Sequence, residues 1–195
     1  MMLWTKIKLA ALVGAVVIVL AGAGALAVSQ AGSSNAKPQA PEQPRYVFGD
    51  VIERVVNDDG LRKDECIDLD TGKLHTGPAR SFTSREEGRA WFRSTGADAH
   101  GETEEGETGL WSVEMALLPL DNEQWDSGNP EELRDMIAEG RGALDLMSGD
   151  GDLPQTYLFR TREGSIGVCQ ILKVERNAEQ HGTIGIRYKL IKAAR

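Results

Sequence analysis

The chain has 195 residues, 41% of them hydrophobic and 27% charged, with 22 basic side chains against 30 acidic ones and a formal net charge of −8. Those are ordinary globular proportions. The acidic balance, with lysines and arginines scattered singly, argues against nucleic acid as a partner, because that binding rests on neutralising phosphates, and against lying flat on an anionic membrane.

Residues 1–8 carry Lys6 and Lys8 and read as a cytoplasmic N-terminus. From Leu9 to Val28 no residue is charged or strongly polar. At about 1.5 Å of rise per residue such a segment reaches roughly 30 Å, the hydrocarbon thickness of a bilayer. Residues 9–28 therefore read as a single transmembrane helix, and the lysines before it place the rest of the chain outside the cell membrane. The rival reading is a signal peptide. Strong hydrophobicity stops near Leu20, and Ala25 and Ala27 fit an A-x-A site with cleavage after Ala27, which would release a periplasmic or secreted protein. Residues 29–45 ("SQAGSSNAKPQAPEQPR") are too poor in apolar side chains to form a core and read as a linker.

Residues 46–195 are long enough for one domain with its own core. Tyr46 to Asn57 is rich in β-branched and aromatic residues and reads as a strand ending at "DDG". Asp70-Thr71-Gly72-Lys73 is a hairpin turn between short strands. A helix starts after Thr83 or Ser84, has Arg93 in its last turn and stops at Gly96, with Ala90 and Trp91 as its expected core face. "ADAHGETEEGE" (residues 97–107) reads as an acidic loop exposed to solvent. "TGLWSVEMALLPL" reads as one long strand with Trp111, Val113, Met115 and Leu117 facing the core. Asn129-Pro130-Glu131-Glu132 starts a second helix, with Leu133, Met136 and Ile137 as its apolar stripe and Gly140 as its end. Leu144 to Met147 is a short extended piece. Three strands follow, over Thr156–Thr161, Ile166–Glu175 and Thr183–Lys192, as a meander with one buried face. The expected fold is α+β: an antiparallel sheet of about six strands with two helices packed on it, behind the transmembrane segment.

Candidate sites are few. Arg160, Arg162 and Glu163 surround the turn of "YLFRTREGSIGVCQI" and can bind a carboxylate or phosphate through charge-assisted hydrogen bonds, although a charged hairpin tip has the same composition. Asp68-Leu69-Asp70-Thr71-Gly72 opens like a calcium loop. It lacks a third Asp or Asn where Gly72 stands and an acid where Ala79 stands, so it reads as a turn and no metal is expected. His75, His100 and His181 fall in separate places without metal-type spacing. Cys66 and Cys169 can pair as one disulfide in an exported domain, or stand as two small buried thiols. There is no GxSxG, and Cys169 lies mid-strand in an apolar run, which does not suit an activated thiolate. No catalytic residue and no cofactor is expected.

"FGDVIERVVNDDG", "IDLDTGKL", "YLFRTREGSIGVCQI" and "GIRYKL" occur in that order between Tyr46 and Leu190. As a set they resemble an uncharacterised bacterial extracytoplasmic domain family whose segments read close to F-G-P-V-I-E-R-V-V-N, F-x-D-x-D-T-G-K, F-R-T-R-E-G-G-x-G-I-L-Q-I and I-R-Y-K-L. This chain has Asp50 for the proline, Ser165 for a glycine and Cys169 for a leucine. The resemblance implies a domain that follows a single transmembrane helix, and it brings no catalytic residues with it. The expected function is a membrane-anchored extracytoplasmic module that binds a ligand or an envelope protein partner, in sensing or envelope organisation. The alternative is a secreted or periplasmic hydrolase-like enzyme with an acidic site, which a pocket joining Asp or Glu to a histidine would favour.

Overall fold

The computed structural model describes residues 44–59, 64–77, 82–104, 106–139, 144–178 and 181–195. The 9–28 segment, most of the linker, Gly60 and Gly140 lie outside them. Among the described residues no helix is long and apolar enough to cross a membrane.

Eleven strands and three helices are found among the described residues. In chain order they are β1 (Tyr46–Phe48), β2 (Ile52–Asp58), β3 (Asp64–Asp68), β4 (Lys73–Gly77), α1 (Arg85–Thr95), β5 (Ala99–Glu102), β6 (Gly109–Ser112) and β7 (Ala116–Leu120). Then come α2 (Gln124–Ser127), α3 (Pro130–Glu139), β8 (Leu146–Ser148), β9 (Gln155–Arg160), β10 (Ile166–Arg176) and β11 (Gly182–Ala193). The class is α+β, as the sequence predicts. The single sheet is not found: the strands form two antiparallel sheets. One has the order β1-β11-β10-β9-β7, with β2 also on β11, and the other has the order β4-β3-β5-β6-β8.

The first predicted strand is β1 and β2 together, laid along one edge of β11. Phe48 pairs with Ile191 and Ile52 with Tyr188, so Gly49, Asp50 and Val51 oppose only two residues of β11. That one-residue bulge bends the edge strand. At the opposite edge lies β7, where Pro119 is tolerated because an edge strand has one side without ladder bonds.

The predicted 108–120 strand is split. Its first half is β6 in one sheet and its second half is β7 in the other. Between them Glu114 turns the chain at φ +62°, outside the usual range for a non-glycine residue. Arg93 of α1 holds its carboxylate through two hydrogen bonds, with Nε donating to Oε2 at 2.8 Å. Simple alternation across this segment therefore fails: Leu110 and Leu117 are the fully buried residues, while Trp111 is half-buried.

The two sheets face each other across the main core, which holds Ile67, Ala99, Leu110 and Met147 from one and Tyr157, Phe159, Cys169, Ile171, Ile184, Ile186 and Tyr188 from the other. The six-stranded sheet is buried on its other face as well. There Leu158 and Val168 pack against Trp125 of α2 and Leu133 and Ile137 of α3. The one-faced meander is thus corrected: β9 and β10 are apolar on both faces because both are covered. A register shift between Ile171 and Lys173 turns Leu172 outward, where it is 37% exposed.

The outer face of the five-stranded sheet carries α1. Ser84 caps this helix, its Oγ accepting from the Glu87 N–H at 3.1 Å, and Gly96 ends it at φ +79°. Its core face is Gly88 and Phe92, with the expected Trp91 half-buried against the same cluster and Ala90 exposed instead; Phe92 packs on Cys66 and Ala97. In α3 Leu133 and Ile137 are buried and Met136 is 45% exposed. The extended piece after residue 144 is β8. The predicted 97–107 loop instead contains β5, and Glu102 within it is buried.

Candidate functional site

The β3–β4 turn is built by its own side chains. Asp68 ends β3, and its Oδ1 accepts from the N–H groups of Asp70 and Thr71 at 2.9 and 3.0 Å. Its Oδ2 accepts from the Thr71 hydroxyl at 2.6 Å. Gly72 closes the loop at φ +75°, its N–H donating to the Asp68 carbonyl at 2.7 Å. A Cβ there would stand 2.9 Å from the Tyr188 hydroxyl and 3.0 Å from Arg54 Nη2, so space and backbone both require glycine. Arg54 Nε in turn donates to the Gly72 carbonyl at 2.6 Å.

Asp98 enters this turn from the junction of α1 and β5. Its backbone is held from two sides: its N–H donates to the Ile67 carbonyl and its carbonyl accepts from Val113, both at 2.7 Å. The residue is fully buried. Its Oδ2 accepts from the Leu69 N–H at 2.8 Å, while Oδ1 has no hydrogen-bond partner. One carboxylate oxygen from each of Asp68, Asp70 and Asp98 lies within 4.8 Å of the others. Asp70 Oδ2 is also buried and without a partner. Among the described residues none of the three makes an ion pair.

The electrostatics follow from that. Burial is the largest influence on Asp98 and pushes its carboxyl up to about 7; the Leu69 N–H opposes this, and the charges of Asp70, Glu163 and Asp68 add to it. Burial likewise raises the Tyr188 phenol, with Arg54 opposing and the charges of Asp68 and Asp70 among the groups reinforcing it. The Tyr188 hydroxyl, on a residue with no exposed surface, has no hydrogen-bond partner. An arrangement of this kind can retain a proton or take up a hard cation.

The predicted site residues divide around it. Thr161, at the start of the β9–β10 turn, donates its hydroxyl to Asp70 Oδ1 at 3.4 Å, so the "DLDTG" and "TREG" segments meet. Arg162 does not face an open cleft. Its Nε and Nη2 donate to Glu163 Oε1 at 2.9 and 2.7 Å. Arg160 ends β9 on the Leu158 side, the face covered by the helices, and is not brought to the acidic cluster. Both cysteines are free thiols: Cys66 sits in the cluster under α1, Cys169 between the sheets, and no disulfide joins them. Burial pushes each thiol up to about 12, so neither is an activated nucleophile.

Asp98 was not legible as a site residue. It stands alone in "GADAH", and what assigns it is the pairing of β3 with β5, which no local spacing encodes. A third acid thus joins Asp68 and Asp70 through space, from a different strand junction.

A second polar region lies at the other end of β3. A pocket of about 610 Å³ is lined by Asn57, Asp58, Asp59, Glu65, Thr76 and His181, among others. Asp58 Oδ2 accepts from Thr103, and Glu65 Oε2 from the Asn57 backbone and side chain. His181 Nδ1 is buried without a hydrogen-bond partner. His75 and His100 flank Cys66 in register on β4 and β5, beneath α1.

Comparison with protein-family models, curated proteins and solved structures finds no match.

Proposed function

We propose that this chain is a membrane-tethered extracytoplasmic module that binds a ligand or an envelope partner. The observation that carries binding is the convergence of two motif segments on one acidic cluster. Asp68 closes its own turn, Thr161 reaches Asp70, and Arg162 is taken up by Glu163. Groups engaged in this way position backbone, and the oxygens left over are suited to holding something still. The tether rests on the uncharged segment from Leu9 to Val28 and the lysines before it. The resemblance to a domain that follows a single transmembrane helix agrees with the tether.

The mass of the mature protein's first peptide, taken together with alkaline extraction of membranes, tests the tether. A chain that keeps Met1 to Val28 and stays in the pellet is expected. A soluble chain beginning at Val28 overturns the anchor and leaves a freely diffusing binder. A turnover activity abolished by one substitution in a cleft would overturn the binding reading.

One observation favours a second reading, a hydrolase-like enzyme. The pocket lined by His181 is also lined by Asp58, Asp59 and Glu65, the residue types that general acid–base chemistry pairs. Hydrolysis of a panel of chromogenic esters and glycosides by the wild type, lost in His181→Ala, would support it. Equal rates in the two proteins would remove it.

A further inference from the structure

We infer that Asp68, Asp70 and Asp98 hold a calcium ion that ties the β3–β4 turn to the α1–β5 junction. This rests on the binding reading above, for which it names a ligand. The first argument is distance. Oxygens on opposite sides of one calcium ion stand about 4.8 Å apart, twice a Ca–O bond of about 2.4 Å. One carboxylate oxygen of each residue lies within 4.8 Å of the others, no farther apart than that span, so the three are close enough to share one ion.

The second argument is the donor set. Every group is an oxygen, which suits a hard cation and not zinc or copper. Asp98 Oδ1 and Asp70 Oδ2 are buried with no partner. Asp68 already accepts three hydrogen bonds and would contribute one oxygen.

The third argument is independent of the acids. Tyr188 comes from β11, in the opposite sheet, and its hydroxyl reaches the same turn at Gly72. It is fully buried and unpartnered. Buried tyrosine hydroxyls normally find a partner. A cation with its bound water beside Asp68 and Asp70 provides one. The ion would then stand where the two sheets meet, next to the Thr161–Asp70 contact that joins the motif segments.

The test uses the full chain in detergent micelles, stripped with chelator, at constant ionic strength. Calcium at about tenfold over its dissociation constant is expected to raise Tm by about 3–6 °C. The constant itself is expected at about 10⁻⁴–10⁻³ M, as in extracellular calcium modules. Asp98→Asn and Asp70→Asn are expected to lose the shift, and the exposed Asp135→Asn to keep it. Because an aspartate variant can also change folding, terbium luminescence on the wild type gives a second reading. A signal displaced by calcium and absent in Asp98→Asn supports the site. An equal Tm rise in wild type and Asp98→Asn, or a terbium signal that calcium does not displace, overturns it as general screening of an acidic surface. Membrane retention is measured on the same proteins. Retention without calcium binding sinks this inference alone, and calcium binding by a chain released from the membrane sinks only the tether.

Discussion

The β9–β10 turn carries Arg162 and Glu163; the β3–β4 turn carries Asp68 and Asp70. In the first, opposite charges are neighbours in the chain and pair with each other, and Thr161 closes the loop by accepting at its hydroxyl from the Ser165 N–H at 3.0 Å. In the second, charges of one sign are brought together and a third, Asp98, is folded in beneath them. Both turns are closed by a glycine at positive φ, at +97° for Gly164 and +75° for Gly72. The difference teaches that a charged turn becomes a site only when its charge is left unbalanced. That balance depends on what packs against the turn, here the α1–β5 junction and Tyr188.

The largest expected effect comes from removing the unbalanced charge. The Asp98 carboxyl titrates at about 7 in the folded protein against 3.8 when unfolded, so between these values the folded state holds the extra proton. In chelator, the contribution of Asp98 to stability is therefore greatest below about pH 4, falls as pH rises, and levels off above about pH 7, while Glu87, Glu114 and Glu175, whose hydrogen bonds lower their carboxyls, pull the other way in acid. The groups around Asp98 that shape this are Asp68, Asp70 and Glu163. Asp98→Asn resembles the protonated form and is expected to flatten the profile, gaining about 2–4 kcal/mol at pH 8 in denaturant titrations. A slope unchanged by the substitution breaks the contrast between the two turns.

The two turn glycines sharpen it next. Gly72→Ala meets both a strained backbone and the Tyr188 hydroxyl at 2.9 Å, and is expected to destabilise by about 2–3 kcal/mol. A Cβ on Gly164 meets nothing within 4 Å, so Gly164→Ala is expected to lose only about 1 kcal/mol from the backbone. Equal losses in urea unfolding would show that the β3–β4 turn is not held against Tyr188. The smallest effect belongs to the Arg162–Glu163 pair, although Arg162 Nη1 is left buried without a partner. Glu163 is 46% exposed, and a double-mutant cycle over Arg162→Ala and Glu163→Ala is expected to return a coupling of about 0–1 kcal/mol.

Local signals were legible wherever the deciding contacts were themselves local. Ser84 and Gly96 bracket α1, and Asn129 and Pro130 open α3, with Asn129 Oδ1 accepting from Glu131 at 2.9 Å. The Asp70–Lys73 turn and the β9–β10 turn fall where the sequence puts them. Periodicity misled where both faces of an element are covered. β10 reads as a one-faced strand, yet Cys169 and Ile171 face the sheet interface while Val168 faces the helices. It misled again at 109–120, where Arg93 fastens Glu114 in a sharp turn and sends the two halves to different sheets.

What this sequence determined by itself is the α+β class, the two long helix starts, the hairpin turns and an apolar N-terminal segment long enough for a bilayer. Those depend on capping groups, turn residues and runs of side chains within a few positions of one another. The tertiary structure alone decided that there are two sheets, that Cys66 and Cys169 lie in different clusters, and that Asp98 meets Asp68 and Asp70. Each of these depends on which strands pair, and the pairing of β3 with β5 is selected by burying Ile67, Ala99 and Leu110 together, a gain that no short stretch of sequence contains.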